Sequence, residues 1–152
     1  MARLQYRIAT EGDIVFISET YHENIDALHG TVRTYKRWKE LLADRSSIYY
    51  IVYAQAPVAW FRIDPADDAL WLGMLLVKPK YQRQGIGRYI LSVLEIMAKE
   101  RALPKIGIHT TEDNIAARSL YTSAGYAVTE IGPCTTADGV DRVGYTFQKQ
   151  GI

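Results

Sequence analysis

The run Ala69 to Val77 constrains this chain more than any other segment, because its nine residues hold eight apolar side chains and Gly73, with none polar. A bilayer-spanning helix needs roughly 20 such residues, so the run is too short to cross a membrane. Turn residues bound it: Asp64 to Asp68, containing Pro65, precede it, and Lys78-Pro79 follow. A short apolar run between turn signals reads as a strand, Leu70 to Val77, buried on both faces inside a sheet. Both faces of such a sheet need covering, which calls for helices on either side.

The flanking sequence supplies them. Leu4 to Ala9 alternates apolar and polar as a strand. Thr10 to Asp13 offer capping residues before a helix marked by Ile14, Ile17, Ser18 and Tyr21. His22 to Thr34 is polar and irregular, a loop or short helix, and Tyr35 to Ala43 carries Trp38, Leu41 and Leu42 at helical spacing. Ser47 to Tyr53 and Val58 to Ile63, joined by the turn Ala54 to Pro57, make an antiparallel meander with Leu70 to Val77.

The period then changes to 3.6, with Ile86, Ile90, Val93, Leu94 and Met97 on one helix face. Lys99 and Arg101 fall in its last turn and Pro104 beyond it. Lys105 to Thr110 is a short strand. Asp113 or Asn114 caps a further helix bearing Ile115, Leu120 and Tyr121, which Gly125 closes. Tyr126 to Ile131 and Arg142 to Gln148 form a hairpin around Ala137-Asp138-Gly139. The expected fold is α+β: a central mixed, mostly antiparallel sheet with helices on both faces. With no repeat, linker or low-complexity tract, residues 1–152 are expected to be one domain.

Composition narrows the partners. A formal charge of +1 and a pI near 7.8 weigh against a dedicated nucleic-acid binder, which carries a basic face. The single cysteine, Cys134, excludes an internal disulfide and any multi-cysteine metal site, so no metal is expected and a reducing, cytoplasmic compartment is. Met1 to Ile8 lacks the apolar core of a signal peptide, and no membrane partner is expected.

Chemistry concentrates in the loop after the buried strand. Gln82-Arg83-Gln84-Gly85-Ile86-Gly87-Arg88 leads directly into a helix. Glycine lets the backbone approach a ligand, the first helical N–H groups lack internal partners, and the dipole favours negative charge. Lys78, Lys80, Arg83 and Arg88 surround this start with positive charge, so a phosphate or pyrophosphate is the expected guest. The plainer reading is a glycine-containing helix start with solvated basic residues. A dinucleotide fingerprint fails, since its third glycine position holds Ile90 and a meander precedes it. A phosphate-binding P-loop fails too, lacking Lys-Ser/Thr after Gly87.

Gln82-x-x-Gly85-x-Gly87, after a strand ending Leu75-x-Val77-x-Pro79, resembles the acetyl-CoA loop of the GNAT superfamily of N-acetyltransferases. Asn114-x-x-Ala117-x-x-Leu120-Tyr121-x-x-x-Gly125-Tyr126 is similar to the family's second element, and the strand-then-helix opening Tyr6 to Asp13 loosely resembles its first. The resemblance implies a GNAT-type fold with a splayed strand pair, and acetyl-CoA as co-substrate. It implies a pyrophosphate held by backbone N–H groups from Arg83 to Arg88, Gln84 and Ile86 included. A pantetheine arm would run beside Leu75, Leu76 and Val77. A backbone N–H near Leu76 or Val77 would polarise the thioester carbonyl. Asn114 either holds the pantetheine or loop, with Ala117 nearby, or caps its helix.

By the same resemblance Tyr121 occupies the general-acid position, protonating the departing thiolate, although one of eleven tyrosines could equally pack on a helix face. Some family branches place Glu or His at positions matching Trp71 and Gly73, and neither residue here can take a proton. The branch that acetylates N-termini of ribosomal proteins places a Glu where this chain has His109. His109 could therefore be the base, a hydrogen-bonded strand-end histidine, or be bypassed by a water chain to Glu112 or to a backbone carbonyl. The acceptor pocket is expected between Tyr21 to Thr34 and the hairpin near Pro133 to Asp141. There His22, Glu23, Asp26 and His29 either attract an amine or form a solvated face. The implied reaction is direct attack of a primary amine, small or on a peptide or protein, in a ternary complex. The alternatives are a non-catalytic CoA-binding sensor or interaction module and transfer of another acyl group. Exposed Tyr and Trp would suit a homodimer.

Overall fold

The computed structural model describes residues 3–152. Among them the elements run β1 (Gln5–Ile8), α1 (Ile14–Glu23), α2 (Ile25–Leu28), α3 (Tyr35–Ala43), β2 (Ile48–Tyr53), β3 (Pro57–Pro65) and β4 (Leu70–Val77). They continue with α4 (Ile86–Glu100), β5 (Lys105–Thr111), α5 (Ile115–Ser123), β6 (Ala127–Thr135) and β7 (Asp141–Gln150). The strands form one sheet in the order β1-β2-β3-β4-β5-β7-β6, antiparallel except where β4 meets β5.

Strand alternation divides the core into two layers. Tyr50 and Val52 of β2, with Phe61 and Ile63 of β3, face α4 and α5. Tyr49, Ile51 and Trp60 face α1 and α3. A one-residue slip would exchange the two sets, so the apolar content of both faces locks the register. The five residues expected on the inner face of α4 are all buried there. Trp38 is fully buried from the other side, edge-on to Tyr21 and Trp60.

Several boundaries differ from expectation. β3 runs on through Asp64 and Pro65, because Asp64 pairs with Trp71 and binds Arg62 and Ser47; the turn is Ala66 to Ala69. The closing hairpin reaches Thr135 on one strand and starts at Asp141 on the other. Pro133 is tolerated because β6 is an edge strand. α1 continues through His22 to Glu23, while His29 is the left-handed cap of α2, so the two histidines share no helix face.

The fork that makes the cavity begins at Gly73. β3 pairs Arg62 with Met74 and Ile63 with Leu72, leaving Gly73 as an extra, bulged residue. A Cβ there would collide with the Arg62 guanidinium, which Asp64 holds at 3.0 Å across the glycine's face. β4 pairs with β5 only from Leu70 to Leu72, opposite Ile106 to Ile108. Past the bulge the two parallel strands part.

Candidate active site

A cavity of about 950 Å³ fills the fork. One wall is the free edge of β4. Lys78 N–H donates to Val58 O at 2.9 Å, so by antiparallel alternation the main-chain groups of Leu76 and Met74 point to β3, and those of Leu75 and Val77 point into the gap. Leu75 and Val77 can therefore pair with an extended ligand, whereas Leu76 offers only side-chain surface. The Val77 carbonyl is already taken: Gln82 Nε2 donates to it at 3.1 Å and Asn24 Nδ2 at 3.2 Å. Gln82 thus clamps the loop to the strand and to α1.

Between β4 and α4 the chain turns through two left-handed residues, Arg83 (φ 63°) and Gly85 (φ 84°). Only glycine adopts such a φ without strain, and a Cβ at Gly85 would meet nothing within 4 Å. Gly87 serves another purpose. It lies in the first turn of α4, where a Cβ would come 2.9 Å from Leu120 Cδ2, so it lets α5 press against α4. Among the described residues the N–H groups from Arg83 to Arg88 find no protein acceptor, and the first main-chain bond of α4 is Tyr89 N–H to Gly85 O. That row of donors at a helix start is a fit for phosphate oxygens.

Not every basic residue nearby joins it. Arg83 and Arg88 line the cavity, and Arg88 is steadied by Ser123 Oγ at 2.7 Å. Lys78 turns to Glu23 (3.0 Å), and Lys80 lies over the Tyr81 ring. The Gln84 side chain folds back on the Lys80 carbonyl, so only its backbone can serve the loop.

α5 forms the opposite wall. Asn114 caps it, its Oδ1 accepting from Ala117 N–H at 3.2 Å; both residues, and Ile86 across from them, line the cavity. Tyr121 also lines it, 7% exposed, packed edge-on to Phe147. Burial pushes its hydroxyl up to about 12, because a phenolate would lose its hydration. Tyr121 is therefore held neutral.

His109 projects from β5 on the face opposite Tyr121. Its ring stacks on Trp71 (4.8 Å, 9°) and its Nδ1 meets Thr146 Oγ1 at 3.0 Å. Trp71 reaches it by lying flat over Gly107, where a Cβ would clash. In register, His109 pairs with Thr146, and Thr146 with Glu130 on β6, so the three side chains form a row across three strands. Glu130 lines the cavity, and Glu112 is not among the residues that line it. Glu130 and Arg33 both escaped the sequence reading. Neither lies in a motif, and strand alternation alone hinted that Glu130 has a defined face.

The two histidines of the acceptor region are held by protein groups. His22 Nδ1 donates to the Ser18 carbonyl at 2.7 Å, and its Nε2 accepts from Arg33 N–H at 3.2 Å. His29 Nε2 meets Asp113 Oδ2 at 2.7 Å. Cys134 lies half-buried in the cavity wall beside Gly144. No helix among the described residues is long and apolar enough to cross a membrane.

Comparison with known proteins agrees with this geometry. The chain is 30% identical over 71 residues to the mycothiol acetyltransferase of Jonesia denitrificans, a match covering 47% of this chain and 23% of that protein, so it spans less than a quarter of that relative. Its structure superposes with a TM-score of 0.85 on the Salmonella typhimurium acetyl transferase that modifies the N-terminal serine of ribosomal protein L7/L12 (15% identity, 100% and 97% coverage). It superposes at 0.83 on the Vibrio cholerae spermidine N-acetyltransferase in complex with CoA and spermine (16% identity, 97% and 95% coverage). At these identities the structural likeness is one of fold. Residues 15–126 match the acetyltransferase (GNAT) family model, and the chain belongs to that family, for which acetyl-CoA is the co-substrate.

Proposed function

We propose that this chain moves the acetyl group of acetyl-CoA to an amine by direct attack in a ternary complex. The observation that carries this reading is the fork between β4 and β5, whose cavity connects the donor row at α4 with the buried neutral phenol of Tyr121. The N–H groups from Arg83 to Arg88, with the Arg83 and Arg88 side chains, hold the pyrophosphate. The main chain of Leu75 and Val77 takes the pantetheine amides, one N–H being directed at the thioester oxygen as negative charge develops there.

The acceptor enters on the α1 side, where His109 stands. Its Nδ1 is occupied by Thr146, leaving Nε2 to take the ammonium proton, with Glu130 on the same row to stabilise the charged ring. Tyr121 lies on the opposite face and gives its proton to the departing thiolate. Acid and base on opposite faces suit a displacement in which the amine arrives from one side and sulfur leaves to the other. Direct transfer needs no enzyme nucleophile.

The test is a turnover screen with acetyl-CoA against small amines, amino acids, peptide N-termini and lysine side chains, read as free thiol. Release dependent on one acceptor class is the expected result. Tight CoA binding with no release across the panel would instead identify a non-catalytic binding module.

A further inference from the structure

Arg33 stands in the loop between α2 and α3 on a well-held backbone. His22 fixes its N–H, and the Tyr21 hydroxyl donates to the Thr31 carbonyl two residues earlier at 2.9 Å. The guanidinium lies over the rings of Tyr21 and Trp38, 4.7 and 5.0 Å from their centroids. It lines the cavity, and its Nη1 is buried without a hydrogen-bond acceptor.

Other half-buried arginines have acceptors. Arg62 is paired with Asp64 and Arg142 with Asp138, both at 3.0 Å, and Arg118 donates to the Glu112 carbonyl at 2.8 Å. Arg33 forms no ion pair among the described residues. A guanidinium cannot shed its proton, and a desolvated N–H without an acceptor is costly, so such a group is stable in a wall only where an anion or water completes it. The charges lining the cavity point the same way. Arg33, Arg83 and Arg88 face one carboxylate, Glu130. Arg83 and Arg88 flank the α4 start, where phosphates are expected, and Arg33 is on the acceptor side with no assigned partner. A polycationic acceptor would meet a single carboxylate and a buried like charge.

We propose that the acceptor carries a carboxylate beside its reactive amine, and that Arg33 receives it. The acceptor class is then an amino carboxylate, with the amine end toward His109 and the anionic end on the Tyr21–Trp38 platform. This rests on the acetyl-transfer reading above. A planar fork matches a carboxylate through two parallel N–H bonds, and stacking on two rings leaves it little side-chain entropy to lose.

The test compares acceptors that differ only in that carboxylate: phenylalanine with phenethylamine, tryptophan with tryptamine, leucine with isopentylamine. The expected result is kcat/KM at least about tenfold higher for the carboxylated member of a reacting pair. Arg33→Gln should raise that acceptor's KM by about 10- to 100-fold, leave KM for acetyl-CoA in place and bring the paired ratio toward one. The wild-type ratio needs no variant, so a poorly folded Arg33→Gln protein does not remove the test. Amines without the carboxylate reacting as well or better, or a ratio unchanged in Arg33→Gln, overturns the proposal while acetyl transfer stands. Thiol release with peptide or lysine acceptors but with none of the pairs also overturns the proposal while acetyl transfer stands. Acetyl-CoA binding without thiol release from the pairs or from any acceptor of the wider panel overturns both.

Discussion

At the α4 end of the cavity, the groups that can meet an anion are main-chain donors on consecutive residues, Arg83 to Arg88, together with the side chains of those two arginines. At the α1 end the ionisable groups are Arg33, His109 and Glu130, drawn from a loop and two strands. The first end is set by local conformation, two left-handed residues and a helix start, and does not need the sheet to be correct to within a residue. The second exists only because β5, β7 and β6 are in register, and because His22 ties the Arg33 loop to α1. A local site can be kept while the acceptor end is rebuilt, which makes the register-dependent end the one where specificity can change.

Substitution at Tyr121, where both ends meet, has the largest expected effect. Tyr121→Phe should lower kcat by about 10²- to 10⁴-fold and leave acetyl-CoA binding intact, since the phenol acts on the leaving group and not on the pyrophosphate. Unchanged turnover would remove the acid role. Stability carries a second signature. The folded hydroxyl ionises only at about 12, above the reference value of 10.0, so its contribution is complete below about pH 10 and is lost as pH rises toward 12. The phenylalanine variant should lose less stability between pH 10 and 12 than the wild type in a denaturation series.

At the register-dependent end, His109→Gln should cost about 10²-fold in kcat, with KM for acetyl-CoA nearly unchanged. Glu130→Gln should cost less, about tenfold, because it acts through the His109–Thr146 pair rather than on substrate. If Glu130→Gln equals or exceeds His109→Gln, the proton's destination is Glu130, and the order of the row is reversed. Loss of acetyl-CoA affinity in either variant would mean that the two ends are not separable.

The same contrast explains what could be read from the chain before folding. The three-strand meander, the closing hairpin, both helical layers and the glycine loop before α4 follow from periodicity and from contiguous motifs, and the structure contains them. Proximity along the chain misled at Lys78, five residues from Arg83, because a salt bridge to Glu23 on α1 takes it out of the cavity. It misled at Glu112, three residues from His109, because that side chain does not reach the cavity. Arg33 and Glu130 look in sequence like ordinary surface charges. Their placement depends on a long-range bond from His22 and on the Thr129 bulge in β6, and neither leaves a local pattern.

The smallest effects test whether every position of the local motif serves a ligand. Gly85→Ala places a side chain at φ 84°, which should cost about 1–2 kcal/mol of stability, and puts a methyl into the open space beside the donor row, which should raise KM for acetyl-CoA. Gly87→Ala keeps a helical backbone. Its methyl meets the flexible end of Leu120, and alanine's better helix propensity, up to about 1 kcal/mol, offsets the displacement, so stability should change little. Leu120→Ala in the Gly87→Ala background relieves the contact and should restore any lost acetyl-CoA affinity, because the damage would come from displaced α5. If Gly87→Ala is the more destabilising of the two and Leu120→Ala does not relieve it, then Gly87 is required by the backbone of the loop itself, and the local site is more tightly specified than its packing implies.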